Sequence, residues 1–152
     1  MIIRKAIQTD WPDIKRLMID FANANPVEDL QQPQYSEKHT DAVLHTLTTQ
    51  GVMLVAEDNN RVVGMLLSLI QGDIWLPNVK RLHEIAWWVE EEYRNTTAGA
   101  RLLKEYISIG IDLKEAGHIT NFTLTTLATT PDMKLQDRGW QACDYNWVWR
   151  GK

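Results

Sequence analysis

The stretch "EEYRNTTAGARLL", residues 91–103, lies between an apolar run and a segment with the periodicity of a helix. Its middle, "NTTAGA", consists of small or polar residues and is longer than a tight turn needs. The first N–H groups of a helix have no partner within the helix, and the helix dipole adds a partial positive charge there. Small residues let the oxygens of an anion reach these N–H groups. The stretch therefore predicts an anion-binding site at the start of a helix, with the charge of Arg94 beside it.

Two common nucleotide-binding motifs do not fit this stretch. A Walker P-loop needs a Lys-Ser/Thr pair after its glycines, and the stretch has none. A dinucleotide-binding fingerprint needs a Gly-x-Gly-x-x-Gly pattern, of which Gly99 alone is present. The predicted anion site therefore belongs to another class.

The composition is that of an ordinary globular protein. The chain has 152 residues, 44% of them hydrophobic, and we expect residues 1–152 to form a single domain. The formal net charge of −4 argues against nucleic-acid binding, which usually needs a basic face. No apolar run approaches the roughly 20 residues that cross a bilayer, and the N-terminal segment becomes polar too early for a signal peptide. The single cysteine, Cys143, excludes an internal disulfide and argues against a cysteine-built metal site. These features together predict a cytoplasmic protein without a metal or membrane contact.

Apolar periodicity predicts the order strand, two helices, three strands, helix, strand, helix and strand. The clearest signal is "GVMLVAEDNNRVVGMLLSLI", residues 51–70, in which two β-prone runs flank the polar turn 58–60. Gly64 in the second run indicates a bulge or a close approach of another backbone. The last predicted strand, "YNWVWRG", presents Trp147 and Trp149 on one face, which would favour a homodimer. This order predicts an α/β or α+β fold, a mixed sheet with helices on its faces.

The junction resembles the GNAT superfamily of N-acetyltransferases. That family carries the pattern Q/R-x-x-G-x-G/A between its fourth strand and the following helix, and here "RNTTAG" runs from Arg94 to Gly99. The preceding "IAWWVEEEYR" is similar to the family's strand ending in Val-x-x-x-Tyr-Arg, and "LQDRGW" is similar to its last helix, usually L-Y-E-K-x-G-F. The order of elements also matches, so the resemblance covers essentially the whole chain. It implies a GNAT-type mixed central sheet flanked by helices.

The resemblance implies that acetyl-CoA is the co-substrate and that no metal takes part. In the family, backbone amides of the motif hold the pyrophosphate, and the fourth strand binds the pantetheine. An N–H near the end of that strand polarises the thioester carbonyl. Carried over to this chain, the pantetheine residues are Trp87, Trp88 and Val89, with Val89 as the donor to the carbonyl. The implied pyrophosphate residues are Arg94, Asn95, Thr96, Thr97, Ala98, Gly99 and Ala100.

This chain departs from the family pattern in two places. Thr97 replaces the first motif glycine, although its hydroxyl could bind a phosphate directly. Leu135 stands where the family often has the tyrosine that protonates the departing thiolate, and the asparagine often found upstream is missing from residues 128–130. These departures leave an alternative function open, a GNAT-fold module that binds CoA weakly or not at all and acts through protein contacts.

The base that would deprotonate the acceptor amine has two candidates on the predicted fourth strand, His83 and Glu84. On a regular strand, residues 83, 85, 87 and 89 share one face, and this would put His83 on the face of a family-type base. A bulge in the strand would instead give the role to Glu84. Histidine titrates near neutral pH and suits the task. The sequence leaves both residues as catalytic candidates.

The resemblance also implies that the loop between the first two helices lines the acceptor pocket, where Glu28 and Asp29 could bind an amine. The acidic run Glu90–Glu92 is predicted to form a solvated turn at the end of the sheet. Together these features predict an N-acetyltransferase that moves an acetyl group to a primary amine of a small molecule or protein by direct attack. The sequence does not specify the acceptor, because pocket loops diverge more readily than the scaffold.

Overall fold

The computed structural model describes residues 1–25, 36–126, 130 and 133–143. Within them, the strands are β1 (Ile2–Lys5), β2 (Gly51–Asp58), β3 (Arg61–Gly72), β4 (Lys80–Val89) and β5 (Asn121–Thr123). The α-helices are α1 (Trp11–Asn23), α2 (Glu37–Gln50) and α3 (Ala98–Glu115). Short 3-10 turns cover Gln8–Asp10, Glu91–Tyr93 and Gln136–Arg138.

The order of elements agrees with the prediction from the first strand to the fifth. The helix predicted after the fifth strand is a 3-10 turn at Gln136–Arg138, and its predicted start at Pro131 lies outside the described residues. The predicted last strand, with Trp147 and Trp149, also lies outside them.

The five strands form one sheet in the order β1-β2-β3-β4-β5. Neighbouring strands are antiparallel except for β4 and β5, which are parallel, so the sheet is mixed as predicted. The turn between β2 and β3 contains Asn59 and Asn60 with φ of 49° and 62°. Two consecutive positive φ values are typical of the tight hairpin turns that asparagine tolerates. The predicted hairpin is confirmed.

Gly64 of β3 meets both expectations for a glycine within a strand. A bulge leaves its neighbour Val63 without a partner in β2. A Cβ atom on Gly64 would lie 3.3 Å from the backbone carbonyl oxygen of Trp88 and 3.1 Å from Cγ2 of Val89, both in β4. The glycine therefore allows the end of β4 to lie close to β3.

Apolar side chains on both faces of the sheet form two cores. Helices α1 and α2 cover one face, and helix α3 covers the other. The helical residues buried in the α1–α2 core are Ile14, Leu17, Leu44 and Leu47, and those in the α3 core include Leu102, Leu103 and Tyr106. Side chains of β2 alternate between the two cores, as a strand covered on both faces requires. Within the described ranges, no helix is long and apolar enough to cross a membrane.

A second bulge interrupts β4 at Ile85. Consecutive residues of β3 pair with Ala86 and Glu84, so Ile85 between them has no partner in β3. The bulge changes which residues share a face, because Leu82 packs in the α3 core and Ala86 packs in the α1–α2 core. The expectation that residues 83, 85, 87 and 89 share one face does not hold, since it requires a regular strand.

Strand β5 accompanies β4 over only a short distance. The paired residues are Arg81 with Asn121, Leu82 with Phe122, and His83 with Thr123. From Glu84 to Val89, β4 therefore has β3 on one edge and none of the described strands on the other. We call this side of β4 the open edge.

Candidate active site

Glu84 lies where β5 parts from β4. Its side chain is 2% exposed, and its Oε2 accepts a hydrogen bond of 2.9 Å from the backbone N–H of Thr125. Burial raises the pKa of Glu84 to about 7, although the bond from Thr125 acts in the opposite direction. A carboxyl group with this pKa can take up and release a proton near neutral pH.

His83, the other candidate base, occupies a different environment. Its ring is half-buried, and its Nδ1 lies 2.7 Å from Oγ1 of Thr123, the β5 residue that pairs with it. The structure contains the bulge under which the sequence gave the role of base to Glu84. Of the two candidates, Glu84 is the one enclosed at the parting of the strands.

The open edge presents backbone hydrogen-bonding groups. In an antiparallel pair, the N–H and C=O groups of a residue point alternately towards and away from the neighbouring strand. The N–H of Glu90 donates to the carbonyl of Val63 at 3.0 Å. By this alternation the N–H and C=O groups of Val89 and Trp87 point away from β3. Such groups can bind an extended chain as a further strand would.

The start of α3 follows the end of the open edge at Val89, which is the end remote from Glu84. Oγ1 of Thr96 accepts a hydrogen bond of 3.2 Å from the N–H of Ala98, the first residue of the helix, whereas the N-cap residue Thr97 makes no capping bond with its side chain. The N–H of Arg101 makes the first bond of the helical pattern, to the carbonyl of Thr97 at 2.9 Å. The N–H groups of Gly99 and Ala100 precede that bond, in the position where a helix can bind an anion.

Gly99 lies beside the indole of Trp87. A Cβ atom on Gly99 would lie 3.6 Å from Cζ2 of Trp87, an ordinary van der Waals distance, and the backbone at Gly99 is helical. Neither packing nor backbone conformation therefore requires glycine at this position. Gly110 of the same helix differs, because its Cβ would lie 2.7 Å from the ring of Phe122. The absence of a side chain at Gly99 instead keeps the surface open between the helix start and Trp87.

Arg94 does not lie over the start of the helix. Its guanidinium stacks 4.3 Å from the centre of the Trp88 ring, and its Nε donates to the carbonyl of Val89 at 3.1 Å. Trp88 in turn contacts Phe21 of α1 edge to face. The structure thus brings Arg94 to the end of β4, on the face opposite Trp87.

The remaining predicted site residues fall into three groups. Asn95, Thr96, Thr97 and Ala100 are exposed beside the helix start, whereas Ala98 is buried. Glu28 and Asp29 lie outside the described residues. Leu135, at the position where the family often has tyrosine, is half-buried at the start of the last 3-10 turn.

The prediction for the acidic run was wrong at Glu90. Glu91 and Glu92 are exposed, but Glu90 is 8% exposed and forms ion pairs with Arg16 and Arg61, the latter at 2.7 Å. These arginines belong to α1 and β3, so the ion pairs attach both elements to the end of β4. The sequence could not indicate this, because the three residues are far apart along the chain.

Sequence reasoning also missed Tyr106 and Thr125. The hydroxyl of Tyr106 lies 3.0 Å from the carbonyl of Leu82 and 2.7 Å from that of Thr123. The sequence analysis gave neither residue a role. The one available signal was a hydroxyl-bearing ring in an otherwise aliphatic stripe, since a buried tyrosine usually finds a hydrogen-bond partner.

Residues 12–134 match the sequence profile described as "Acetyltransferase (GNAT) family". The chain therefore belongs to the GNAT family of acetyltransferases, and the resemblance drawn from its motifs is confirmed. Members of this family generally use acetyl-CoA as co-substrate and act on acceptor substrates.

Solved structures match nearly the whole chain at low sequence identity. A protein from Bacillus halodurans has a TM-score of 0.77 at 17% identity, covering 100% of both chains. A possible acetyltransferase from Clostridium difficile 630 has a TM-score of 0.71 at 19% identity, covering 99% of this chain and 97% of the other. A ribosomal-protein-alanine N-acetyltransferase from Brucella melitensis biovar Abortus 2308 has a TM-score of 0.65 at 16% identity, covering 99% and 100%. These similarities confirm the predicted fold class.

One comparison found no relative, and one structural search found no metal site among the described residues. Comparison with curated protein sequences finds no match. In the part of the chain that the structure describes, no group of three or more His, Cys, Asp or Glu side chains is arranged to hold a metal ion.

Proposed function

We propose that this protein is an acetyl-CoA-dependent N-acetyltransferase that transfers the acetyl group to a primary amine by direct attack. The observation that carries the proposal is the buried carboxyl of Glu84, with its pKa near 7, at the inner end of the open edge. Titratable groups with perturbed pKa values concentrate at catalytic sites. We therefore assign the role of general base to Glu84. His83, the adjacent residue on the other face of β4, has no role in this proposal.

The residues of the chain fit acetyl-CoA along one continuous path. The N–H groups of Gly99 and Ala100, with the polar residues 95–97, would hold the pyrophosphate. Glycine at position 99 supports this fit, because a Cβ would occupy space beside Trp87 that the fold itself leaves open. The backbone groups of Trp87 and the N–H of Val89 would hold the pantetheine along the open edge. When bound, acetyl-CoA supplies an acetyl group activated as a thioester.

Distance along β4 decides which backbone N–H polarises the carbonyl. Across the bulge, Glu84 pairs with Ser68, Trp87 with Leu66 and Val89 with Gly64. At a rise of about 3.3 Å per residue of β3, Trp87 lies about 7 Å and Val89 about 13 Å from Glu84. A base must lie within hydrogen-bond reach of the amine, directly or through water, and the amine must reach the carbonyl carbon. The N–H of Trp87 therefore suits this role better than that of Val89, to which the family pattern pointed.

Proton balance gives Glu84 a defined task. An amine in water at neutral pH is largely an ammonium ion, and Glu84 takes the proton that makes its nitrogen nucleophilic. When the C–N bond forms and the C–S bond breaks, the nitrogen loses a second proton and the CoA thiolate takes one up. Leu135 has no group that could supply that proton, so the second transfer is assigned to water.

Calorimetric titration with acetyl-CoA tests the binding half of the proposal. Wild-type protein should bind at micromolar concentration, and Gly99→Val should weaken binding by at least about tenfold, since one buried obstruction is worth a kcal/mol or more. Gly72→Val is a matched control, because a Cβ at Gly72 would have no neighbour within 4 Å. No binding by the wild-type protein at millimolar acetyl-CoA would overturn the proposal.

Release of CoA in the presence of mixed amines tests the catalytic half. The panel should contain polyamines, aminoglycosides, lysine and peptides with free N-termini. Binding with turnover supports an enzyme, whereas tight binding without turnover for any amine supports the alternative of a CoA-binding module.

We further propose that residues 1–152 act as one domain, that the protein is cytoplasmic, and that it forms a homodimer without contacting nucleic acid or membranes. The net charge of −4 supports the absence of a nucleic-acid partner. The two tryptophans of the predicted last strand, Trp147 and Trp149, support the homodimer. Light scattering on the purified protein tests this point, and a monomer at all concentrations would exclude it.

A further inference from the structure

Tyr106 joins the two strands at the last point where they are paired. The residue lies in the middle of α3, and none of its side chain is exposed. Its hydroxyl lies 3.0 Å from the carbonyl of Leu82 in β4 and 2.7 Å from the carbonyl of Thr123 in β5. Leu82 and Thr123 belong to the last two pairs between β4 and β5. One hydroxyl therefore faces backbone carbonyls of both strands directly before they part.

The hydroxyl is separable from the packing of the ring. The ring of Tyr106 contacts Phe122 edge to face, with centroids 5.9 Å apart, and it fills part of the α3 core. A phenylalanine would make the same contacts. A phenol has one O–H donor, so it binds one carbonyl at a time or shares its proton between the two. What tyrosine adds over phenylalanine is this attachment of strand to helix.

Two residues after Thr123, the N–H of Thr125 donates to Glu84 at 2.9 Å. A peptide chain has two soft dihedrals per residue, so the direction of the Thr125 N–H depends on where the Thr123 peptide is held. The contacts form a series from Tyr106 through Thr123 and Thr125 to Glu84. Neighbouring members are joined either by a hydrogen bond or by two residues of chain.

We propose that Tyr106 is a positioning residue for Glu84, holding β5 where it leaves β4 so that the Thr125 N–H and the Glu84 carboxylate remain paired. For catalysis this inference rests on the proposed function, whereas the link between the two groups can be measured without it. Burial raises the pKa of the Tyr106 phenol, and the nearby Glu84 raises it further, so the hydroxyl remains a neutral donor.

Helix α3 places this attachment at a fixed distance from the proposed pyrophosphate site. Gly99 and Tyr106 are separated by two turns of helix, about 10 Å at 1.5 Å per residue. The helix that would bind the pyrophosphate therefore also holds the strands at the position of the base. A change at Tyr106 should act on the base end and leave the phosphate end unaffected.

The test follows the amide proton of Thr125 by NMR in the free protein between pH 5 and 9. In the wild type its chemical shift should move as Glu84 ionises, and Glu84→Gln should abolish that movement. Tyr106→Phe should reduce its amplitude by at least half. Leu103→Val is the matched control, because Leu103 is buried in the same helix and core but lies outside the series of contacts. It should keep the full amplitude even if it lowers thermal stability equally.

His83 needs its own control, since its Nδ1 lies 2.7 Å from Oγ1 of Thr123, a member of the same series. His83→Gln should retain the Thr125 movement. If Tyr106→Phe fails to fold, the wild type still decides the matter through the carbonyl carbon of Thr123. The chemical shift of this carbon should change with pH at the same midpoint as that of the Thr125 amide proton. In Glu84→Gln this change should be absent. Separate midpoints would overturn the inference.

Kinetics distinguish positioning from a purely structural role. In Tyr106→Phe, kcat should fall at least about tenfold while the KM for acetyl-CoA stays within about twofold, since the phosphate end is unchanged. Full Thr125 amplitude in Tyr106→Phe would overturn the inference whatever the activity. Reduced amplitude in a protein that acetylates no amine would instead overturn the proposed function and leave the link to Glu84 standing.

Discussion

The two halves of β4 differ in what lies along their edges. The first half, up to His83, has β3 on one side and β5 on the other, and Leu82 within it is fully buried. The second half, from Trp87 to Val89, has β3 alone and directs backbone groups to the open edge. The first half is held on both sides and serves as an anchor. The second half has hydrogen-bonding capacity that the described strands do not use, and this is the part that can bind a ligand.

Glu84 and the bulge at Ile85 mark the change between the halves. A buried carboxylate is costly unless hydrogen bonds compensate it, and Glu84 has one bond from a backbone N–H. The cost appears as the raised pKa. Such a group at the boundary of anchor and open edge is expected where a proton must be moved.

Glu84→Gln should have the largest effect on activity. Glutamine keeps the size of the side chain and can still accept from Thr125, but it cannot take up a proton. We expect kcat to fall by two orders of magnitude or more, since general base catalysis contributes roughly 100-fold to 10,000-fold. The release of CoA measures this. Glu91→Gln, at an exposed position beyond the same strand, is the control. A Glu84→Gln protein with more than a tenth of wild-type kcat would remove Glu84 as the base.

Stability should depend on pH through the same carboxyl. Its pKa is about 7 in the folded protein and about 4.5 in the unfolded chain, so the folded state binds the proton more tightly. The resulting stabilisation is complete below pH 4.5 and is lost as the pH rises through 7. Relative to Glu84→Gln, the wild type should lose up to about 3 kcal/mol of unfolding free energy between pH 4.5 and 8. Urea unfolding at the two pH values measures the difference, and parallel changes in both proteins would contradict it.

Gly110→Ala tests the anchored half of β4 through its neighbour β5. The new Cβ would lie 2.7 Å from the ring of Phe122, so α3 or β5 must move. Overpacking of this kind costs roughly 1–3 kcal/mol, and the better helix propensity of alanine offsets up to about 1 kcal/mol. We therefore expect a net loss of up to about 2 kcal/mol in thermal or urea unfolding. An increase in stability would mean that Phe122 has room to turn away.

Local signals predicted the parts of the fold that local chemistry determines. The β2–β3 hairpin follows from Asn59 and Asn60, which tolerate positive φ, and the start of α3 follows from the small residues before it. The sequence could not favour Glu84 over His83 as the proposed base, because no glycine or proline in "LHEIAWW" marks the bulge at Ile85. The bulge is defined by the register with β3, which one segment of sequence does not contain.

Tertiary contacts account for the rest of what the sequence did not predict. Glu90 is buried because Arg16 and Arg61 reach it from 74 and 29 residues away along the chain. The hydroxyl of Tyr106 binds backbone carbonyls of residues that lie 24 and 17 positions away along the chain. Contacts across such separations leave no periodic pattern in a sequence. The sequence therefore shows the charge of Glu90 and the hydroxyl of Tyr106 but does not indicate their partners.

Gly99→Ala should have the smallest effect, and it separates function from folding most clearly. Alanine fits the folded chain, since its Cβ would lie 3.6 Å from Trp87 and the backbone there is helical. Stability should rise by up to about 1 kcal/mol, because glycine is a poor helix residue. If the open surface beside Trp87 serves the pyrophosphate, the same methyl group should weaken acetyl-CoA binding severalfold. Thermal unfolding and calorimetry on one preparation measure both effects. A gain in stability with unchanged affinity would mean that the ligand does not approach the helix at Gly99, and the phosphate site would have to lie elsewhere along residues 95–97.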